Sequence, residues 1–174
     1  FRSVAFNYAC EGFFQVNIPV YEKALSDMKA WIDCNEKLPT LDLYSGVGTI
    51  GLTIGGDDVT LVEINEHAVA EMQRNIAKLN RPKTKAILAP SEKSLEYITG
   101  EQIVIVDPPR AGLHADVTNR LLETEPPRII YLSCNPVTQA RDVSLLQEKY
   151  EIVHHQGYNF FPRTPHIEHL VILD

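Results

Sequence analysis

The residues best suited to chemistry fall in three short loops. The first runs Asp42-Leu43-Tyr44-Ser45-Gly46-Val47-Gly48-Thr49-Ile50-Gly51, an acid at the end of a strand-like run followed by G-x-G-x-x-G spacing. Glycines so spaced make a tight turn and let a ligand approach the backbone. One reading is a dinucleotide site. Another is S-adenosylmethionine, because Asp42 precedes the glycines and Glu63 ends the next strand. That cofactor has an amine and a ribose but no pyrophosphate to rest on a helix N-terminus. Glu63 can accept from both ribose hydroxyls in either case, so it does not discriminate. A turn whose glycines serve the backbone alone is the third reading.

The second loop, Asp107-Pro108-Pro109-Arg110, follows an apolar run. Its prolines stiffen the chain and remove two N–H donors, which suits a wall for a planar group. Methyltransferases of exocyclic amines often place an aromatic residue after such prolines. Arg110 stands there instead, which counts against amine methylation. The third loop is Ser133-Cys134-Asn135-Pro136. A helix starting at Pro136 would aim its positive end at the Cys134 thiol and lower its pKa. Parallel neighbouring strands would bring Cys134 beside Asp107. A thiolate suits methylation of a pyrimidine at carbon 5, itself a weak nucleophile. Attack at carbon 6 activates carbon 5, and a base must then take the carbon 5 proton so that the thiolate can leave.

These loops need strands to hold them. Short apolar runs at 40–44, 59–64, 84–88, 103–106 and 128–132 read as parallel strands covered on both faces. Tyr21, Leu25, Met28 and Ile32 share one helical face, as do Val69, Met72, Ile76 and Leu79, with Asn65 as N-cap. A further helix opens at Pro136, capped by Asn135, and carries Ala140, Val143 and Leu146. Segments 150–158 and 168–173 read as an antiparallel hairpin. The expectation is one doubly wound α/β domain over 36–174, with residues 1–35 forming an N-terminal extension and a helix packed on it.

Composition fits that frame. The 174 residues include 16 Lys plus Arg and 23 Asp plus Glu, a net charge of −7, and 44% are hydrophobic. A single globular domain is expected, and disorder, repeats and a membrane span are excluded. The acidic balance counts against a free-standing nucleic-acid binder. Three cysteines without CxxC spacing argue against a disulfide framework or cysteine zinc site and for a reducing cytoplasm. Cys10 and Cys34 read as structural. The first residue, Phe1, suggests a piece of a longer chain.

Taken together these motifs resemble the RNA uracil-5-methyltransferase family, which makes 5-methyluridine in tRNA or rRNA. The matching pieces are Phe13-Phe14-Gln15-Val16-Asn17, the Asp42–Leu52 loop, Asp107-Pro108-Pro109-Arg110-Ala111-Gly112-Leu113, Ser133-Cys134-Asn135-Pro136 and Phe161-Pro162-Arg163-Thr164-Pro165-His166-Ile167-Glu168. The resemblance covers nearly the whole chain but only the catalytic C-terminal part of a family member.

The resemblance implies a Rossmann-like methyltransferase fold and S-adenosyl-L-methionine as cofactor; the spacing His166-x-Glu168-His169 is not a helical zinc motif, so no metal is expected. It implies Cys134 as nucleophile, Glu168 as base, and Gln15, Tyr44, Thr49, Glu63 and Asp107 around the cofactor, beside Gly46 and Gly48 of the glycine loop. By itself, Glu168 reads as a solvated edge residue flanked by His166 and His169. The implied partner is RNA with an extruded uridine, on which Phe13 or Phe14 could stack, and the implied state is a monomer lacking its RNA-binding N-terminal domain. The short Gly51–Val59 crossover and Ala89-Pro90-Ser91-Glu92, without a polar adenine contact, depart from the family pattern. Cytosine-5 methylation, a nicotinamide-dependent dehydrogenase, and an idle cofactor-binding, RNA-docking fragment are the alternatives. On the first reading, the acids serve a cationic cofactor and a proton abstraction, and this piece alone binds RNA weakly and salt-sensitively.

Overall fold

The computed structural model describes residues 6–7, 17–33 and 38–174. Seven strands form one sheet: β1 (Thr40–Leu43), β2 (Val59–Glu63), β3 (Lys85–Leu88), β4 (Ile103–Val106), β5 (Arg128–Ser133), β6 (Ile152–Tyr158) and β7 (Glu168–Leu173). Their order is β3-β2-β1-β4-β5-β7-β6. β1 to β5 are mutually parallel, and β7 lies antiparallel between β5 and β6. The helices are α1 (Ile18–Asp33), α2 (Thr49–Ile54), α3 (Glu66–Lys78), α4 (Ala115–Thr124) and α5 (Pro136–Leu146).

Alternation along the central strands explains why both faces are covered. Ile103 and Ile105 pack with Tyr21, Leu25, Met28 and Ile32 of α1 and with Ile50 and Ile54 of α2. Val104 and Val106 face the other way, onto Val117 and Leu121 of α4 and Val143 and Leu146 of α5. Each such side chain contributes about 1.5–3 kcal/mol by leaving water. Asn65 caps α3 by accepting from the Ala68 N–H at 3.1 Å, and Asn135 caps α5 through Val137 at 3.2 Å.

Two expectations are corrected and one helix is added. β3 is an edge strand with no fully buried residue, so it is not covered on both faces. Ala140 faces solvent, and Gln139 and Asp142 occupy the buried face of α5 because both find buried partners. A helix that the apolar periodicity did not reveal, α4, crosses between β4 and β5. Among the described residues no helix is long and apolar enough to cross a membrane.

Candidate active site

The chain steps from β3 across to β4, on the far side of β1, so a topological switch point lies between β1 and β4. The loops after β1, β2, β4 and β5 open on this carboxyl edge. β7 runs the opposite way and starts there, with Glu168. The hairpin therefore delivers an acid to the edge where the three chemistry-bearing loops end.

The glycine loop is tied to β2. The Gly46 N–H donates to Glu63 Oε2 at 2.9 Å, the Asn65 N–H donates to Glu63 Oε1 at 2.8 Å, and Ser45 donates to the Val62 carbonyl. Each Glu63 oxygen keeps a further lone pair for a ligand. Gly46 has φ +56, and a Cβ there would meet nothing within 4 Å. Gly48 turns toward the core instead, where a Cβ would lie 2.9 Å from Leu52 and 3.2 Å from Leu61 and Met72. Its absent side chain lets α2 approach the sheet. Asn75 of α3 holds the loop from behind by donating to the Val47 carbonyl.

Beneath this loop, Asp42 is fully buried. Its Oδ2 accepts the Gly51 N–H at 2.8 Å, while Oδ1 has no hydrogen-bond partner. Burial pushes its carboxyl up to about 8, with Asp107 and Glu63 adding to the rise. Tyr44 has φ 61 and packs against the core, its hydroxyl near Ser91 and His114. Thr49 is buried at the first turn of α2. Gln15, Phe13, Phe14, Cys10 and Cys34 lie outside the described residues. Ile64, 65% exposed directly after Glu63, is an apolar surface beside the loop that sequence reading missed.

Cys134 stands at the end of β5. Ser133 pairs with His169 as the last rung between β5 and β7, so Cys134 and Glu168 occupy the next opposing positions. A pocket of about 270 Å³ opens beside the thiol, lined by Arg110, Asn135, Val137, Pro165, His166 and Ile167 among others. The Arg110 guanidinium donates to His166 Nδ1 at 3.3 Å and closes one side. Burial pushes the Glu168 carboxyl up to about 8. Asp107 adds to the rise and Arg110 opposes it. Asp107 is lifted to about 7 by desolvation. The expected lowering of the Cys134 pKa does not occur. Burial, then Glu168 and Asp107, raise it, and Arg110 only partly offsets them. Burial and two neighbouring acids outweigh the helix end.

The loop carrying Asp107 and Arg110 is clamped onto α5. Asn135 and Thr138 donate to the Arg110 carbonyl at 2.9 and 3.1 Å, and Arg141 donates to that of Ala111 at 2.9 Å. Buried Asp142 accepts from the Leu113 N–H and the Tyr131 hydroxyl, both at 2.8 Å. Gly112, at φ +83, is required here because a Cβ would sit 2.5 Å from Asp142 Oδ2. A polar residue within an apolar helix face was the available signal for Asp142. No group of three or more His, Cys, Asp or Glu able to hold a metal occurs among the described residues.

Known proteins resemble this chain in sequence and fold. The tRNA (Uracil-5-)-methyltransferase family profile matches residues 91–174. An uncharacterized RNA methyltransferase of Enterococcus faecalis is 38% identical over 176 residues, which are 97% of this chain and 38% of that protein. One from Nanoarchaeum equitans is 38% identical over 163 residues, 92% of this chain and 36% of that protein. A solved tRNA (uracil-54, C5)-methyltransferase of Pyrococcus abyssi, in complex with S-adenosyl-L-homocysteine, superposes with a TM-score of 0.85 and 35% identity. That match covers 94% of this chain and 40% of the other. A precorrin-6y C5,15-methyltransferase of Geobacter metallireducens shares the fold alone, with a TM-score of 0.73 at 11% identity.

The fold is thus that of the Rossmann-like methyltransferases, a mostly parallel sheet closed by an antiparallel hairpin. The chain belongs to the RNA uracil-5-methyltransferase family, and it spans about two fifths of the length of the relatives it matches.

Proposed function

We propose that this chain is the catalytic part of an enzyme that methylates carbon 5 of a uridine in RNA, with S-adenosylmethionine as methyl donor. The observation that carries the reading is the opposition of Cys134, which lines the pocket, and buried Glu168 at the end of the β5–β7 ladder, with Asp107 close enough to perturb both. The free space at Gly46, the spare lone pairs of Glu63 and exposed Ile64 suit an amino acid–nucleoside cofactor with a cationic sulfonium. When bound, that cofactor supplies an electrophilic methyl group. Gln15, Tyr44, Gly46, Gly48, Thr49, Glu63 and Asp107 are the residues proposed to hold it, Gly48 through its backbone.

In this mechanism the Cys134 thiolate attacks carbon 6 of an extruded uracil. A C–S bond forms, and the displaced electron pair moves onto oxygen 4 as an enolate. Arg110, on the pocket wall, places a positive charge where negative charge develops. Carbon 5 then takes up the methyl group. Ionised Glu168 removes the carbon 5 proton, the C5–C6 double bond re-forms, and the C6–S bond breaks to return the thiolate. Pro165, Ile167 and Val137 line the pocket and limit water around the adduct. The net charge of −7 implies that most phosphate contacts are made by parts of the protein outside this chain.

The test uses RNA containing 5-fluorouridine, whose fluorine cannot leave as a proton. The protein should form a covalent adduct that depends on S-adenosylmethionine and is abolished by Cys134→Ala. Cofactor binding without any adduct would identify an idle docking fragment and overturn the proposal.

A further inference from the structure

Gln139 is 1% exposed on the inner face of α5. Its Nε2 donates to two main-chain carbonyls, Tyr131 on β5 and His169 on β7, each at 3.0 Å. Both partners can only accept, so the amide orientation is forced and Oε1 faces His169 Nδ1 at 2.7 Å. His169 must therefore carry a proton on Nδ1. Burial, and then neighbouring His155, keep His169 below the ordinary histidine range, so this is a neutral N–H to carbonyl bond. One buried side chain thus joins α5, β5 and β7 beside the Ser133–His169 rung, immediately beyond which Cys134 and Glu168 lie.

We propose that Gln139 is a positioning residue that sets the separation of the Cys134 thiol and the Glu168 carboxyl through the carbonyl of His169. This rests on the reading above, in which those two groups act on one pyrimidine. A ring bonded to Cys134 cannot move to find its base, so the carboxylate must already stand within hydrogen-bond reach of the carbon 5 proton. Cutting the tie leaves β7 in its ladders with β5 and β6 but frees its first residue relative to α5. A misplacement of about 1 Å can cost on the order of 100-fold in rate. Cys134 keeps the β4–β5 ladder and the Ser133–Asn135 hydrogen bonds at the start of α5 when the tie is cut, so its attack is spared.

The experiment compares the full-length protein with Gln139→Met, which keeps side-chain length, and Gln139→Glu, which keeps shape and the His169 contact. Each is given S-adenosylmethionine and RNA. Adduct formation on 5-fluorouridine RNA should stay within about 2-fold of the unsubstituted protein. Tritium release from RNA carrying 5-tritiated uridine should fall about 10-fold or more, and a denaturation-resistant adduct on ordinary uridine should accumulate. A purely structural role would lower both rates together. A parallel fall, or no fall in tritium release, overturns the assignment of Gln139 alone. Absence of an adduct in the unsubstituted protein overturns it together with the reading beneath it.

Discussion

Cys134 and Glu168 face each other across the open end of the β5–β7 ladder, one position beyond the Ser133–His169 rung. Residues opposite one another on antiparallel strands share a face of the sheet. The nucleophile candidate comes from a parallel strand and the base candidate from the antiparallel one, so the hairpin is what makes the pair. Burial and Asp107 raise the proton affinity of each, and Arg110 is the neighbouring group that opposes the rise at both.

Turnover should rise with pH through about 8 and continue to rise above it. The Glu168 carboxyl sits near 8 in the free protein, and only its ionised form can accept the carbon 5 proton. The elevated Cys134 thiol acts in the same direction. Glu168→Gln should lower turnover about 10²–10⁴-fold and leave a methylated covalent adduct on ordinary uridine. A pH–rate profile and gel analysis check both, and free product release by the variant would remove Glu168 from this role.

Cofactor affinity should also climb with pH, levelling off above about 7. Asp107 is held near 7 by desolvation, and a cation favours its ionised form, so binding below that pH must release a proton. Calorimetry in buffers of different ionisation enthalpy measures that release. S-adenosylhomocysteine lacks the sulfonium charge and should show a smaller pH dependence. Equal pH dependence for the two ligands would separate Asp107 from the sulfonium.

Gly51→Ala tests the packing beneath the loop. A Cβ there would stand 2.5 Å from Leu61 and 2.8 Å from Asp42 Oδ2, in a place where neither can yield freely. The expected loss is about 1–3 kcal/mol, with melting lowered by roughly 2–4 °C per kcal/mol. A thermal melt at pH 7 decides it.

Asp142→Ala should free the loop that carries Asp107 and Arg110. The Leu113 N–H and the Tyr131 hydroxyl would lose their buried acceptor, at about 1–3 kcal/mol for each orphaned group. Amide exchange at Leu113 should accelerate and activity should fall. Unchanged Leu113 protection would mean that Asn135, Thr138 and Arg141 suffice to hold the loop.

The architecture was legible in the sequence because its signals are local. Apolar runs of strand length, Asn65 and Asn135 before helical periodicity, and glycines between two strands each act within a few residues. These set β1, β2, β4, β5 and both capped helices, and the acid and thiol loops at their ends. Tertiary structure decided what depends on distant partners. β3 is apolar enough for a covered strand but has a neighbour on one side only. Gln139 and Asp142 displace Ala140 from the buried face of α5 because acceptors and donors on other elements await them. The Cys134 pKa was read from a helix end, yet burial and the charges of Asp107 and Glu168 set its direction. Glu168 has no local mark as a base. The family resemblance names it, but its physical reason appears only when β7 folds back against β5, since strand register puts that carboxyl opposite the thiol.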